Sequence, residues 1–274
     1  TKQWQETDSS AVFGHVEWRF SDAWRLTLGA RYTSEERSWR GCTFVADDET
    51  LSGFLNASFG STLGAGHCGT IDDDPTSPTF IFALIGTPNV NDAYPVYEDT
   101  IKTDRLMGKV TLDYALNDDV LFYGTISNGF KSGGFNGANS NTTLQLKPIK
   151  PEVLTAYEAG IKATLLDGAM QFNASTFFYD YRDKQETDAH VAFVGNISGL
   201  TNVPESEVSG AEFEVRWLPA DGWDVRCNVA LLDSESKEWV AVDTELSAWP
   251  TVVRRDSSGA RLAKSHGLQW PAIV

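Results

Sequence analysis

Gly64-Ala-Gly-His-Cys-Gly69 is the first stretch whose residue types and spacing allow chemistry, because it has the G-x-G-x-x-G form of a phosphate-cradling loop. That chemistry needs a strand before the loop and a helix after it. The flanking sequence reads as neither, so no nucleotide site is expected here. Asp72-Asp73-Asp74 follows, and three carboxylates in a row have the oxygen donors that a hard cation such as calcium takes. An acidic run in a loop nevertheless reads first as solvated surface. His15, His67, His190 and His266 are scattered, with no spacing that zinc ligands would show. Serine, histidine and aspartate are all present, but no nucleophile elbow is. No catalytic residue, cofactor or metal site is expected, and the chain does not read as an enzyme.

A second glycine-rich stretch is more informative. Gly124-Thr-Ile-Ser-Asn-Gly-Phe-Lys-Ser-Gly-Gly-Phe-Asn-Gly137 closes an alternating segment and opens a loop that carries one lysine and two phenylalanines. Its glycines are expected to allow sharp bends at a rim. Phe130, Lys131, Phe135 and Asn136 then become the candidate ligand contacts, with Phe130 and Phe135 near an interface or vestibule.

The elements that position this stretch are strands. Val12, Gly14, Val16, Trp18 and Phe20 alternate with Phe13, His15, Glu17 and Arg19, the period of two that marks a strand with one greasy and one wet face. This first strand reads from about Ser10 to Phe20. A short turn at Ser21-Asp22-Ala23 leads to Trp24, Leu26, Leu28, Ala30 and Tyr32 opposite Arg25, Thr27, Gly29 and Arg31. The pattern recurs in the stretches 105–114, 120–127, 153–163, 169–181, 211–217 and 223–231. Asn117-Asp118-Asp119, Asp167-Gly168 and Pro219-Ala220-Asp221-Gly222 read as their tight turns, Asp-Gly being a strong hairpin signal. Long loops are expected at about 35–99, from Lys131 to Pro151, at 183–205 and at 234–266.

Composition agrees with this plan and narrows it. No run of about 18 apolar residues exists, so no transmembrane helix is expected. The chain is rich in aromatics, with Trp 9, Tyr 8 and Phe 15. A net charge of −16 argues against nucleic acid, which needs a basic footprint. That charge concentrates in the 35–99 loop, which holds eleven acids and two bases and has room for small strands or helices of its own. Cys42 and Cys68 fall in this loop and are expected to pair in an oxidising, extracytoplasmic setting, with two free thiols as the alternative. Closing it would add roughly 3 kcal/mol. The third cysteine, Cys227, lies on the apolar face of a strand and reads as a small hydrophobe. The chain opens on Thr1-Lys2-Gln3-Trp4 and stops at Pro271-Ala272-Ile273-Val274, inside what reads as a new strand, so it is expected to be a fragment.

Tight turns and long loops alternate strictly, which places every long loop on one side of the sheet. Short turns on one side, long loops on the other and half-apolar strands of about ten residues are the signature of an outer-membrane barrel. Only a closed barrel satisfies all strand hydrogen bonds in lipid. Glu17, Arg19, Arg31, Lys109, Glu158, Lys162, Glu212, Glu214, Arg216 and Arg226 are the candidate lumen-facing residues, together with Arg25 and Asp224. Their expected role is ladders between neighbouring strands. In lipid, an Arg or Lys at mid-membrane costs about 2–4 kcal/mol. Trp18, Leu28, Val110, Phe122, Ile161, Phe172, Phe213 and Val229 are therefore expected to meet lipid.

Several of these segments resemble one family in succession. Tyr123-Gly-Thr-Ile-Ser-Asn-Gly-Phe-Lys-Ser-Gly-Gly-Phe-Asn136 resembles a recurrent strand-to-loop segment of TonB-dependent outer-membrane receptors. Lys150-Pro-Glu-Val-Leu-Thr-Ala-Tyr-Glu-Ala-Gly-Ile-Lys162 is similar to the strand that follows it in that family. Phe177–Gln185, Val208–Glu214, Ala11–Glu17 and Leu26–Thr33 resemble further family strands, in the family's order. The resemblance covers most strands from about Asp8 to Leu232, and not the acidic loop. It implies an all-β, antiparallel, up-and-down transmembrane barrel of 22 strands, of which 1–274 would supply eight or nine. It also implies an N-terminal plug and C-terminal strands outside this chain. The implied setting is the outer membrane of a Gram-negative bacterium. The implied partners are outer-membrane lipid, the receptor's own plug, the TonB–ExbB–ExbD complex through that plug, and a small-molecule ligand such as a ferric siderophore. A ferric chelate would be cargo and not a cofactor. Two other classes stay open: a non-transporting barrel serving adhesion or structure, and a secreted soluble β-rich binding domain.

Overall fold

The structure is a computed structural model that describes residues 2–43, 49–59, 63–74, 76, 97–137, 141–192, 195–249, 251–262 and 268–269. Eight long strands run in chain order: β1 Lys2–Arg19, β2 Trp24–Cys42, β3 Tyr97–Asn117, β4 Val120–Lys131, β5 Glu152–Leu165, β6 Met170–Ala192, β7 Gly195–Trp217 and β8 Val225–Glu238. Each pairs antiparallel with the next, and β11 (Leu268–Gln269) adds to β8 to complete a nine-stranded open sheet. Two short helices, α1 (Glu49–Phe59) and α2 (Thr143–Leu146), lie in the long loops. A small hairpin of β9 (Val240–Val242) and β10 (Arg254–Asp256) follows β8.

The register confirms one continuous apolar face. Trp18, Leu26, Leu112, Gly124, Ala159, Thr176, Ala211 and Leu231 stand in one cross-strand row. Trp24, Tyr114, Phe122, Ile161, Ala174, Phe213 and Val229 form the next row toward the turns. Trp18, Leu28, Val110, Phe122 and Phe213 are exposed, as lipid-facing residues of a barrel segment must be. Ring contacts link Trp18, Phe20, Trp24, Tyr114 and Phe122 into a belt at the turn side. Amphipathic aromatics collect where a membrane meets water.

The strands are longer than their alternation. Crossing a membrane takes about ten residues, yet β2 has 19, β3 has 21 and β6 and β7 have 23 each. On β2 the outward positions are apolar from Trp24 to Tyr32, then read Ser34, Glu36, Ser38 and Arg40. The ladder continues unbroken while the greasy face ends. Above the membrane both faces are wet, so the two-residue period vanishes although the backbone stays extended.

Four sequence expectations are corrected on this ground. The first strand begins at Lys2 and not Ser10. The loop expected at 35–99 starts only after Cys42 and ends before Tyr97. The loop expected at 183–205 is instead the paired outer part of β6 and β7. The loop expected from 234 begins only after β8, at Glu238. The stretch 77–96 inside the acidic loop, and the histidine at 266, lie outside the described residues.

Candidate functional site

Alternation and register put all ten predicted lumen residues on the face opposite the apolar belt. Glu17, Thr27, Thr111, Thr125, Glu158 and Phe177 share one row. Arg19, Arg25, Asp113, Tyr123, Gly160, Ser175 and Glu212 share the next. Lys162, Asn173, Glu214 and Asn228 follow, then Gln171, Arg216 and Arg226. Arg31 and Lys109 lie nearer the loops, opposite Met107 and Gly29.

Two groups of charges near the turns are compensated. Arg25 Nε donates to Asp113 Oδ2 at 2.7 Å. Arg216 and Arg226 are direct cross-strand neighbours, a like-charge pairing that Asp224 resolves by accepting from both at 2.8–3.3 Å. Mid-wall, Tyr123 donates its hydroxyl to Glu158 Oε1 at 2.6 Å, and Lys162 Nζ lies 5.6 Å from the centre of its ring. Tyr123, Glu158, Lys162, Asn173, Glu212 and Glu214 line a shallow groove of about 640 Å³.

At the loop side the inner face carries a small core. Phe135 is buried and stacks on Trp39 at 5.7 Å, with Leu146 beneath and Tyr97 and Ile101 around them. Burial raises the Tyr97 hydroxyl above its usual range, reinforced by Asp99 beside it. Trp39, Tyr97 and Ile101 all point inward from β2 and β3, so the 132–151 loop folds over the inner wall.

This places the four predicted rim residues apart. Phe135 and Asn136 are buried, as parts of the loop core rather than free contacts. Phe130 has the outward parity of Phe122 and Ile126. Lys131 has inward parity and is exposed.

No described glycine between Gly124 and Gly137 has a positive φ. Gly133 serves close approach instead: a Cβ there would lie 2.5 Å from the Ile149 carbonyl oxygen. Asn128, which the sequence left without a role, extends the end of the β3–β4 ladder by accepting the Gly108 N–H at 2.6 Å.

The acidic triplet is the largest correction. Asp72 and Asp73 are buried, not solvated. Asp73 accepts from Leu144 N at 2.9 Å and lies 2.9 Å from His190 Nε2. Asp72 accepts from Thr143 Oγ1 at 2.9 Å, and Asp74 pairs with Lys147 at 2.7 Å. Three successive carboxylates thus tie the acidic loop to α2 and to β6. Each is bound by donors of other segments, and among the described residues no cluster has a metal-ligand arrangement. Cys42 and Cys68 are bonded, with Cα atoms 5.6 Å apart, which ties the middle of this loop back to the end of β2. His67 closes a turn onto Gly64 beside that bond, and the G-x-G-x-x-G match has no helix after it.

The clasp should respond to acid in a defined window. The hydrogen bond from Lys147, with those from Thr76, holds the Asp74 carboxyl at about 2. A depressed carboxylate stabilises the docked state above its ordinary value, and that contribution is lost as pH falls through the depressed one. Protection of the Ile71 and Thr143 amides, both bonded across the two loops, should hold from pH 7 to pH 5 and weaken between about pH 4 and 2. Lys147→Met should move the loss to higher pH. Protection already lost at pH 6 in the intact protein would show that Asp74 does not govern the docking. Reduction, or Cys42→Ser with Cys68→Ser, should lower protection of the same amides, since the cross-link contributes about 3 kcal/mol against local opening. Unchanged exchange would mean the polar clasp suffices.

Residues 1–262 match the family described as TonB dependent receptor-like, beta-barrel. The chain is 25% identical over 217 residues to the pesticin receptor of Yersinia enterocolitica, covering 77% of this chain and 30% of that protein. Among solved structures, the ferric yersiniabactin uptake receptor FyuA from Yersinia pestis matches with a TM-score of 0.57 at 17% identity, over 85% of this chain and 28% of that one. The siderophore receptor PiuA from Acinetobacter baumannii matches with a TM-score of 0.58 at 14% identity, over 93% and 29%. The chain therefore spans about a third of the length of these relatives. Barrels of this kind reside in the outer membrane of Gram-negative bacteria. The chain belongs to the TonB-dependent receptor β-barrel family.

Proposed function

We propose that residues 1–274 form part of the barrel of an active outer-membrane transporter that imports a ferric siderophore or a similarly scarce chelate. The observation that carries this reading is the pairing of a family barrel with outer loops that fold inward over the wet wall. A surface built only for adhesion has no need of such a lined mouth. The relatives named above include a ferric yersiniabactin uptake receptor and a siderophore receptor, which favours an iron chelate as cargo. In this reading the remaining strands and a plug domain belong to the same polypeptide, and the plug passes energy from TonB–ExbB–ExbD. The mid-wall ions Glu158, Lys162, Glu212 and Glu214 then hold neighbouring strands in place and face the plug.

The test is genetic and biochemical. Deleting the parent gene should lower uptake of at least one radiolabelled ferric chelate under iron limitation, and complementation should restore it only where TonB is present. Undiminished uptake of every ferric chelate in the deletion strain would sink the proposal.

A further inference from the structure

We infer that the outward face at the outer ends of β1–β3 docks the neutral sugars of a glycolipid in the surrounding membrane. The face has this form whatever the barrel imports, so this reading and the uptake reading stand or fall separately.

Register carries the outward face of these strands well past the membrane. Val12, Tyr32 and Leu106 form its last apolar row, and Trp4, Arg40 and Glu98 form the row eight residues further out. At about 3.3 Å per residue and a strand tilt of about 40°, that row stands roughly 20 Å above the apolar band. A phospholipid headgroup layer is only about 5–8 Å deep. A lipid that reaches the row must carry an oligosaccharide, as the glycolipid of a Gram-negative outer leaflet does. Further strands of a barrel lie beside or behind this face and not over it. One paired to the free edge of β1 extends the rows sideways and leaves their outward side open.

The side chains there suit sugar. Trp4 is 53% exposed, although the Arg40 guanidinium lies 5.5 Å from its ring centre. An exposed indole is a platform for the C–H groups of a pyranose, because its negative face attracts their positive hydrogens. Arg40 Nε donates to Glu98 Oε1 at 2.8 Å, and both side chains stay more than half exposed. In the next row Glu6 stands opposite Ser38, whose hydroxyl bonds that of Thr100 at 2.9 Å. These residues line a shallow groove of about 690 Å³, with donors and acceptors beside one aromatic ring. Sugar hydroxyls use both kinds of partner, whereas a phosphate uses only donors. With the third row of Asp8, Glu36 and Lys102, the face holds four carboxylates against two bases. That balance repels phosphate and leaves neutral sugar as the occupant that fits.

The experiment takes the full-length receptor in lauryldimethylamine oxide, a detergent without sugar. EDTA is present, to remove any divalent bridge between carboxylate and phosphate. The probes are lipopolysaccharide with a complete core oligosaccharide, the same lipid cut back to its innermost sugars, and the core oligosaccharide freed from lipid. The complete lipid should bind about tenfold more tightly than the truncated one. Trp4→Ala/Glu98→Gln should abolish that preference, and Glu98→Gln alone, which disturbs no packing, should already weaken it. Trp4→Phe, which keeps an aromatic platform, should retain most of it. Equal affinity for the two lipids overturns the inference, as does a preference that both the double variant and Glu98→Gln leave intact. Free oligosaccharide bound as tightly as the complete lipid also overturns it, since the groove would then serve a soluble glycan. None of these results bears on ferric chelate uptake, which the deletion strain tests by itself.

Discussion

Val110→Arg is expected to lower the stability of the intact barrel in phospholipid vesicles by about 2–4 kcal/mol. Val110 stands in the row of Val16, Leu28, Ile126, Tyr157 and Phe178, and is 48% exposed on the outward face. The neighbouring Leu112 and Leu106 are also exposed there, so the site lies within the apolar band rather than at its edge. An arginine at that depth must desolvate its guanidinium or thin the bilayer around it. Thr111→Arg is the matched control, one residue along the same strand and facing the wet wall, where its hydroxyl bonds Thr125 at 2.9 Å. That change should cost no more than the lost side-chain bond, about 1 kcal/mol. Urea unfolding in vesicles reads both. An equal loss for the two variants would mean that the apolar and wet faces are assigned wrongly.

How much of this was legible beforehand follows from where water is. In the membrane zone each strand has one lipid face, so Trp24–Tyr32 and Leu106–Tyr114 alternate visibly and were read correctly. Above it the same strands have two wet faces. Glu35–Cys42 and Tyr97–Asp99 lose the period and read as loop, although their ladder is continuous. The turn chemistry at Asp167-Gly168 was legible because a positive φ there demands those residues. The role of Gly133 is not legible in the sequence, because close approach to a carbonyl is a tertiary property with no local signature. The same holds for Asp72–Asp74. The burial of Asp72 and Asp73 depends on Thr143, Leu144 and His190, which lie 70 or more residues away in sequence.

The outer half of the molecule therefore works differently from the inner half. In the membrane, lipid and ladder hydrogen bonds impose the form, and side chains on the wet wall are free to vary in charge. Outside it, the loops need their own small core and polar ties. Phe135 in the Trp39–Leu146 cluster supplies the first. The Asp73–His190 contact and the carbonyls that Gln185 reaches at Ser132 and Lys150 supply the second.

Two inward glycines should prove as demanding as the lipid face. A Cβ on Gly210 would lie 2.5 Å from both the Leu231 carbonyl oxygen and the edge of the Phe177 ring. On Gly160 it would meet the Tyr123 ring at 2.6 Å and the Ala174 carbonyl oxygen at 2.7 Å. Each aromatic ring thus occupies the notch left by a missing side chain on the adjacent strand. Gly210→Ala and Gly160→Ala should each destabilise the barrel by about 1–3 kcal/mol, the usual range for overpacking. Gly124, on the opposite face with open space around it, is the control, and Gly124→Ala should be neutral or slightly stabilising. Tyr123→Ala in the Gly160→Ala background separates the two clashes. It removes the ring but not the carbonyl, so rescue should be partial. The Gly160 notch also has a functional reach, because it seats the ring whose hydroxyl holds Glu158 at 2.6 Å. Gly160→Ala should free that carboxylate as well as weaken the strand pair, whereas Gly210→Ala should only weaken its own. Equal tolerance of alanine at Gly124, Gly160 and Gly210 would mean that the rings do not sit in these notches in the membrane.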